Sequence, residues 1–182
     1  MKINIDIEQS IAHSKLKYKF QKKNSLFEHL VFFIFCGILI SIPLAIAFSN
    51  NNYINFANPG LTLLTCLFWL GALSAVYALL TYDNLVRIKG KSQKINERII
   101  CDLIELHYRS RPAASDTLIK YYRQPGYWTM GKRIIVLFDH NDILVNIATF
   151  TSRSIRSPFQ AVLDRYRIFR IAQQFKKLLA SA

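Results

Sequence analysis

The densest group of side chains with chemical potential in this sequence is the tetrad Asp139-His140-Asn141-Asp142. Three oxygen-bearing side chains and an imidazole are donor types that can hold a divalent cation. They are also the residue types a hairpin turn uses, because Asn and Asp tolerate left-handed backbone and bond to nearby amides. The turn is the preferred reading.

The other histidines, His13, His29 and His107, have no partner at metal-ligand spacing, and no two cysteines are close in sequence. Cys36, Cys66 and Cys101 are read as small packing residues. His29 beside Glu28 could titrate near neutrality, but a solvated interfacial pair is the simpler account. The chain has no glycine-rich phosphate loop, nucleophile elbow or paired-carboxylate motif. The expectation is therefore a protein that is not an enzyme, with no catalytic residues, cofactor or metal. An enzyme would have to draw on Asp139, His140, Asp142 or His107.

Charge is the stronger signal. The formal net charge is +13, from 24 Lys and Arg against 11 Asp and Glu. Such a balance suits an anionic partner. The basic residues of the C-terminal part include Arg109, Arg111, Arg123, Lys132, Arg133, Arg153, Arg156, Arg165, Arg167 and Arg170, with Tyr121, Tyr122, Tyr127 and Trp128 among them. Aromatics among cations can stack on nucleic-acid bases. Anionic phospholipid accounts for the same charge more simply, at about 1 kcal/mol for each Lys or Arg held near the leaflet, and lipid is favoured over nucleic acid. The residues expected to touch lipid or a protein partner are Lys15, Lys17, Lys19, Lys22, Lys23, Arg87, Lys89, Lys91, Arg153, Arg156, Arg165, Phe169 and Phe175.

What positions these residues is read from hydropathy. Between Glu28 and Asp83 no residue carries a formal charge apart from a possible proton on His29. The reading places one membrane span at 26–48, a polar loop at 49–60 and a second span at 61–82, each near the roughly 20 apolar residues a crossing needs. The first is taken as a retained anchor rather than a cleaved signal. Gly71, Ser74, Ala75 and Ala78 would let the partner helix approach closely. Lys and Arg flank the segment on both sides and are missing from its loop, so the positive-inside rule puts both termini in the cytoplasm. The expected location is a bacterial inner membrane.

Residues 1–25 form an N-terminal cytoplasmic part. Ile3, Ile5 and Ile7 alternate with Asn4, Asp6 and Glu8 at the period of a half-exposed strand, followed by a basic segment. Residues 83–182 form a basic α+β domain. Residues 87–109 are ambiguous between helix and strand. The stretch TLIKYYR reads as a strand, and KRIIVLFDHNDILVNIATF as a hairpin whose first strand, apolar on both faces, belongs at the centre of a sheet. A terminal amphipathic helix is expected over 158–179. Phe159, Val162, Leu163, Tyr166 and Phe169 mark one side of it, whereas Ile168, Ile171, Ala172, Phe175, Leu178 and Leu179 mark the other. Either a straight helix touches two surfaces or it breaks near Arg167.

The order of KINIDIEQ, the two apolar segments, the KRIIVLFDHNDILVNIATF hairpin and the terminal helix resembles bacterial two-span proteins of the YcxB-like kind. Their cytoplasmic part is similar to a pleckstrin-homology fold. The expected fold is thus an α-helical membrane hairpin of two transmembrane helices plus a small cytoplasmic α+β domain ending in a long amphipathic helix. The expected function is a membrane-anchored accessory or regulatory protein, docking its basic domain on anionic lipid or a partner subunit, or on further copies of itself. A pore-forming or transport-related oligomer of hairpins is the alternative.

Overall fold

The computed structural model describes residues 5–19, 34, 37, 38, 40–42, 45, 59–126, 129–151, 157 and 160–181. The chain divides into two compact units, residues 21–81 and residues 1–20 together with 82–182.

The unit of residues 21–81 includes helix α2, Pro59–Thr81. Its Leu63, Leu67, Leu70 and Leu73 are exposed, whereas Ala72, Ala75 and Ala78 are buried. Its side chains are described without interruption from Thr62 to Ala78, and among the described residues no helix is long and apolar enough to cross a membrane. Most of the span expected at 26–48 and nearly all of the loop expected at 49–60 lie outside the described residues. This corrects the expectation of two transmembrane helices. A crossing needs about 20 consecutive apolar residues, and the stretch of α2 whose side chains are described, 62–78, is shorter than that. The membrane-anchored accessory function, the hairpin pore and the multi-pass inner-membrane location depended on those spans and are corrected with them.

The other unit is an α+β arrangement around a five-stranded antiparallel sheet. Its strands are β3 (Val86–Lys89), β4 (Ala113–Ser115), β5 (Leu118–Arg123), β6 (Gly131–Asp139) and β7 (Asp142–Phe150), in the spatial order β3-β7-β6-β5-β4. β6 therefore occupies the centre, as its two-sided apolar run implies. The β6–β7 hairpin closes at Asp139 paired with Asp142, and His140 adopts a positive φ of 53° to make the turn.

One face of the sheet is covered by two helices, α3 (Gln93–Tyr108) and α4 (Ala161–Ser181). Ile99, Ile100, Leu103 and Ile104 from α3, with Ile168, Ile171 and Phe175 from α4, pack on Ile119, Ile134, Val136, Ile143, Val145 and Ile147. Residues 87–109 thus resolve into a strand, a turn and a helix. The i, i+3, i+4 spacing of the α3 isoleucines and leucines sets its buried face, and the left-handed Arg109, φ 53°, ends it.

The opposite face is covered by the N-terminal segment. Ile5, Leu16 and Leu85 pack on Leu118, Ile135, Leu137 and Leu144, with Ile7, Ile11 and Tyr18 alongside. The expected N-terminal strand ends at Asp6 instead of continuing through Glu8, and residues 1–4 lie outside the described residues. Among the described residues β1 is Ile5–Asp6, and the chain then turns into α1, Ile7–His13. The physical cause is a helix cap: the Asp6 side chain accepts from the Gln9 amide at 3.1 Å. β1 pairs with β2 (Lys17–Tyr18) in a two-stranded sheet.

Candidate functional site

The tetrad Asp139-His140-Asn141-Asp142 is a turn. Asp139 and Asp142 both grip Arg87 of β3, at 2.7 and 3.1 Å. Their hydrogen bonds raise the Arg87 pKa from its ordinary value. Two carboxylates already shared with a guanidinium are poor cation ligands, and among the described residues no group of three His, Cys, Asp or Glu is placed to hold a metal. His107, on α3, meets the Gln174 side chain of α4 at 2.5 Å.

The residues expected to contact lipid or a partner are dispersed. Lys15, Lys17 and Lys19 are exposed beside β2, and Lys89 and Lys91 are exposed at the end of β3. Arg87 is held by its two aspartates. Lys22, Lys23, Arg153 and Arg156 lie outside the described residues. Arg165 and Phe169 are exposed on α4, whereas Phe175 is fully buried against the sheet. Phe175 is therefore a core residue and not a contact residue.

Helix α4 runs unbroken through Arg167. Its inner face carries Ile168, Ile171 and Phe175. Its outer face carries Val162, Leu163, Tyr166 and Phe169, exposed by 50%, 46%, 58% and 57%. These positions recur at i, i+4 and i+7, and the exposed Arg165 and Arg170 flank them.

A second concentration of chemistry lies at one end of the sheet, on the helical face. Register places Arg123 of β5 opposite Lys132 of β6, and Lys132 opposite Thr149 of β7. The first turns of α4 stand over this row. The Thr149 hydroxyl donates to the Asp164 carboxylate at 2.7 Å, and Arg167 donates to the same oxygen at 2.5 Å. The Lys132 ammonium lies 5.2 Å from the centre of the Tyr108 ring at the end of α3. Burial, Arg167 and Arg123 together push the lysine pKa down. Burial raises the Asp164 carboxyl, against the opposing effect of Thr149 and Arg167, and it raises the Tyr108 phenol.

The sequence marked Arg123, Lys132 and Arg167 only as members of a large basic set. It gave no sign of Tyr108, Thr149 or Asp164. The period-2 register of the β5, β6 and β7 segments is the signal that aligns Arg123, Lys132 and Thr149.

On the other face, Arg133 is buried between the rings of Tyr18 and Phe150, 5.6 and 5.1 Å from their centres, and donates to the Tyr18 hydroxyl at 2.8 Å. It fastens the N-terminal segment to the sheet.

No family model, no curated protein and no solved structure matches this chain.

Proposed function

We propose that this chain is a non-enzymatic docking module whose basic α+β unit attaches to an anionic phospholipid surface through the outer face of α4. The observation that carries this reading is the exposed stripe Val162, Leu163, Tyr166 and Phe169 between Arg165 and Arg170. A helix that offers apolar and aromatic side chains flanked by cations suits the boundary between headgroups and acyl chains. The chain's net charge of +13 adds long-range attraction to an anionic leaflet. Kinship with the pleckstrin-homology-like part of the YcxB-like proteins belongs to the same proposal, supported by the antiparallel sheet and the terminal helix packed on it.

The test is sedimentation of the full chain with phosphatidylcholine vesicles, with and without phosphatidylserine. Binding should favour the anionic vesicles, weaken with added salt, and fall in Tyr166→Ala and Phe169→Ala. Equal binding to both vesicles, or variants that bind as the parent does, would refute the proposal.

A further inference from the structure

The row Arg123, Lys132 and Thr149 presents a problem that the docking reading leaves unsolved. Like charges directly opposite each other across a ladder are destabilising, yet Arg123 and Lys132 occupy paired positions. Lys132 is partly buried, and its ammonium makes no salt bridge or side-chain hydrogen bond among the described residues; it lies over the Tyr108 ring, and Asp164 acts on it only at a distance, against Arg167 and Arg123. Arg167 is directed to the same end of the sheet by its bond to Asp164, which also holds Thr149. One carboxylate thus stands among three cations. The uncompensated charge is what a phosphate monoester carries, at roughly −1.5 to −2 near neutrality.

We propose that Arg123, Lys132 and Arg167 form a binding site for a phosphate monoester group. In this site Lys132 supplies a point charge and the two arginines supply planar donors to the terminal oxygens. Asp164 does not oppose the ligand. It receives the Thr149 hydroxyl and Nη1 of Arg167 and, together with the longer contacts of that guanidinium to the Gln160 Oε1 at 3.4 and 3.5 Å, fixes the direction from which the guanidinium meets the anion. Tyr108 stabilises the ammonium through its ring face while the site is empty. The site goes beyond the docking reading and uses none of the four apolar side chains on the α4 outer face.

Titration of the purified full chain with inorganic phosphate, at ionic strength matched with chloride, tests the site through the thermal midpoint and tyrosine fluorescence. Phosphate should raise the midpoint in a saturable way. Lys132→Met keeps the stem against Tyr108 and should weaken the response about tenfold or more, the worth of a hydrogen bond to a charged group. Arg123→Gln, at an exposed position, should weaken it as well, and it carries the test if Lys132→Met does not fold. No midpoint rise, or an undiminished one in the folded variants, would overturn the proposal.

Vesicles containing phosphatidic acid, set against phosphatidylserine, distinguish the source of the phosphate. A phosphatidic acid preference lost in Lys132→Met assigns it to a lipid headgroup. A phosphate response without that preference assigns it to a soluble compound. Phe169→Ala should retain the phosphate response, so the docking reading and this one fail separately.

Discussion

Asn96 on α3 donates its side-chain amide to the backbone carbonyl of Asn141, 2.9 Å away in the β6–β7 turn, and its Oδ1 accepts from the Lys91 amide at the same distance. The side chain is fully buried and joins three pieces of chain: the end of β3, the start of α3 and the hairpin turn 45 residues further on. Gly90 makes the approach possible, because a Cβ there would meet the Asn96 side chain at 2.5 Å and the Asn141 carbonyl at 2.6 Å. Asn96→Ala should destabilise the fold by about 2–3 kcal/mol, since buried backbone groups lose their partners. Urea unfolding checks this, and a change under about 0.5 kcal/mol, typical of surface substitutions, would contradict it.

Two phenylalanines of α4, six positions apart, should respond in opposite ways. Phe175 is fully buried among the sheet residues, so Phe175→Ala should cost about 3–5 kcal/mol. Phe169 is exposed, and its loss should change stability by no more than about 0.5 kcal/mol while reducing vesicle binding. Parallel unfolding curves of the two variants decide the matter. Equal destabilisation would mean that the outer face of α4 is covered.

Much of this architecture is legible in the residues, and the failures have definite causes. The segments around Asp139–Asp142 are apolar at consecutive positions, which only a strand covered on both faces tolerates, and β6 is central with a helical layer on one side and the N-terminal segment on the other. At Ile3–Glu8 the alternation is too short to decide. The competing signal was Asp6 three residues before Gln9, a capping pattern that outweighs three alternating isoleucines. The apolar stretch 26–82 reads as paired spans by hydropathy and flanking charge, yet among the described residues no helix is long and apolar enough to cross a membrane. The Lys132 cluster was hidden for a different reason. Its members come from α3, β5, β6, β7 and α4, and only the register of three strands and the crossing of two helices bring them together.

Arg133 should act on the N-terminal segment more than on the sheet. Its guanidinium lies between Tyr18 and Phe150 and bonds to the tyrosine hydroxyl. Arg133→Met retains an apolar stem in the buried site but loses both cation–ring contacts, each worth about 0.5–2 kcal/mol. Hydrogen exchange should then accelerate at the Leu16 amide, which donates to the Asp83 carbonyl at 2.8 Å, while the β6–β7 ladder keeps its protection. Uniform acceleration throughout the unit would indicate global unfolding instead.

Asp164 gives the pH dependence a sign. Burial holds its carboxyl above the ordinary range, and the bonds from Thr149 and Arg167 only partly offset this. In the unfolded chain the same group titrates near the usual value of about 3.9. Between the two values the folded protein binds more protons than the unfolded one, so the unfolding free energy contributed by this group falls as pH rises through the window. The contribution is fully favourable below the unfolded value and fully lost above the folded one. Other carboxylates titrate over the same range, so the comparison must be made against Asp164→Asn, which removes this group alone. The thermal midpoint of the wild-type chain should fall relative to that of Asp164→Asn as pH is raised through the window, and the difference should level off above it. Parallel midpoint profiles would show that the carboxyl is solvated in the folded protein, and a difference that moved the other way would show that Arg167 and Thr149 outweigh burial.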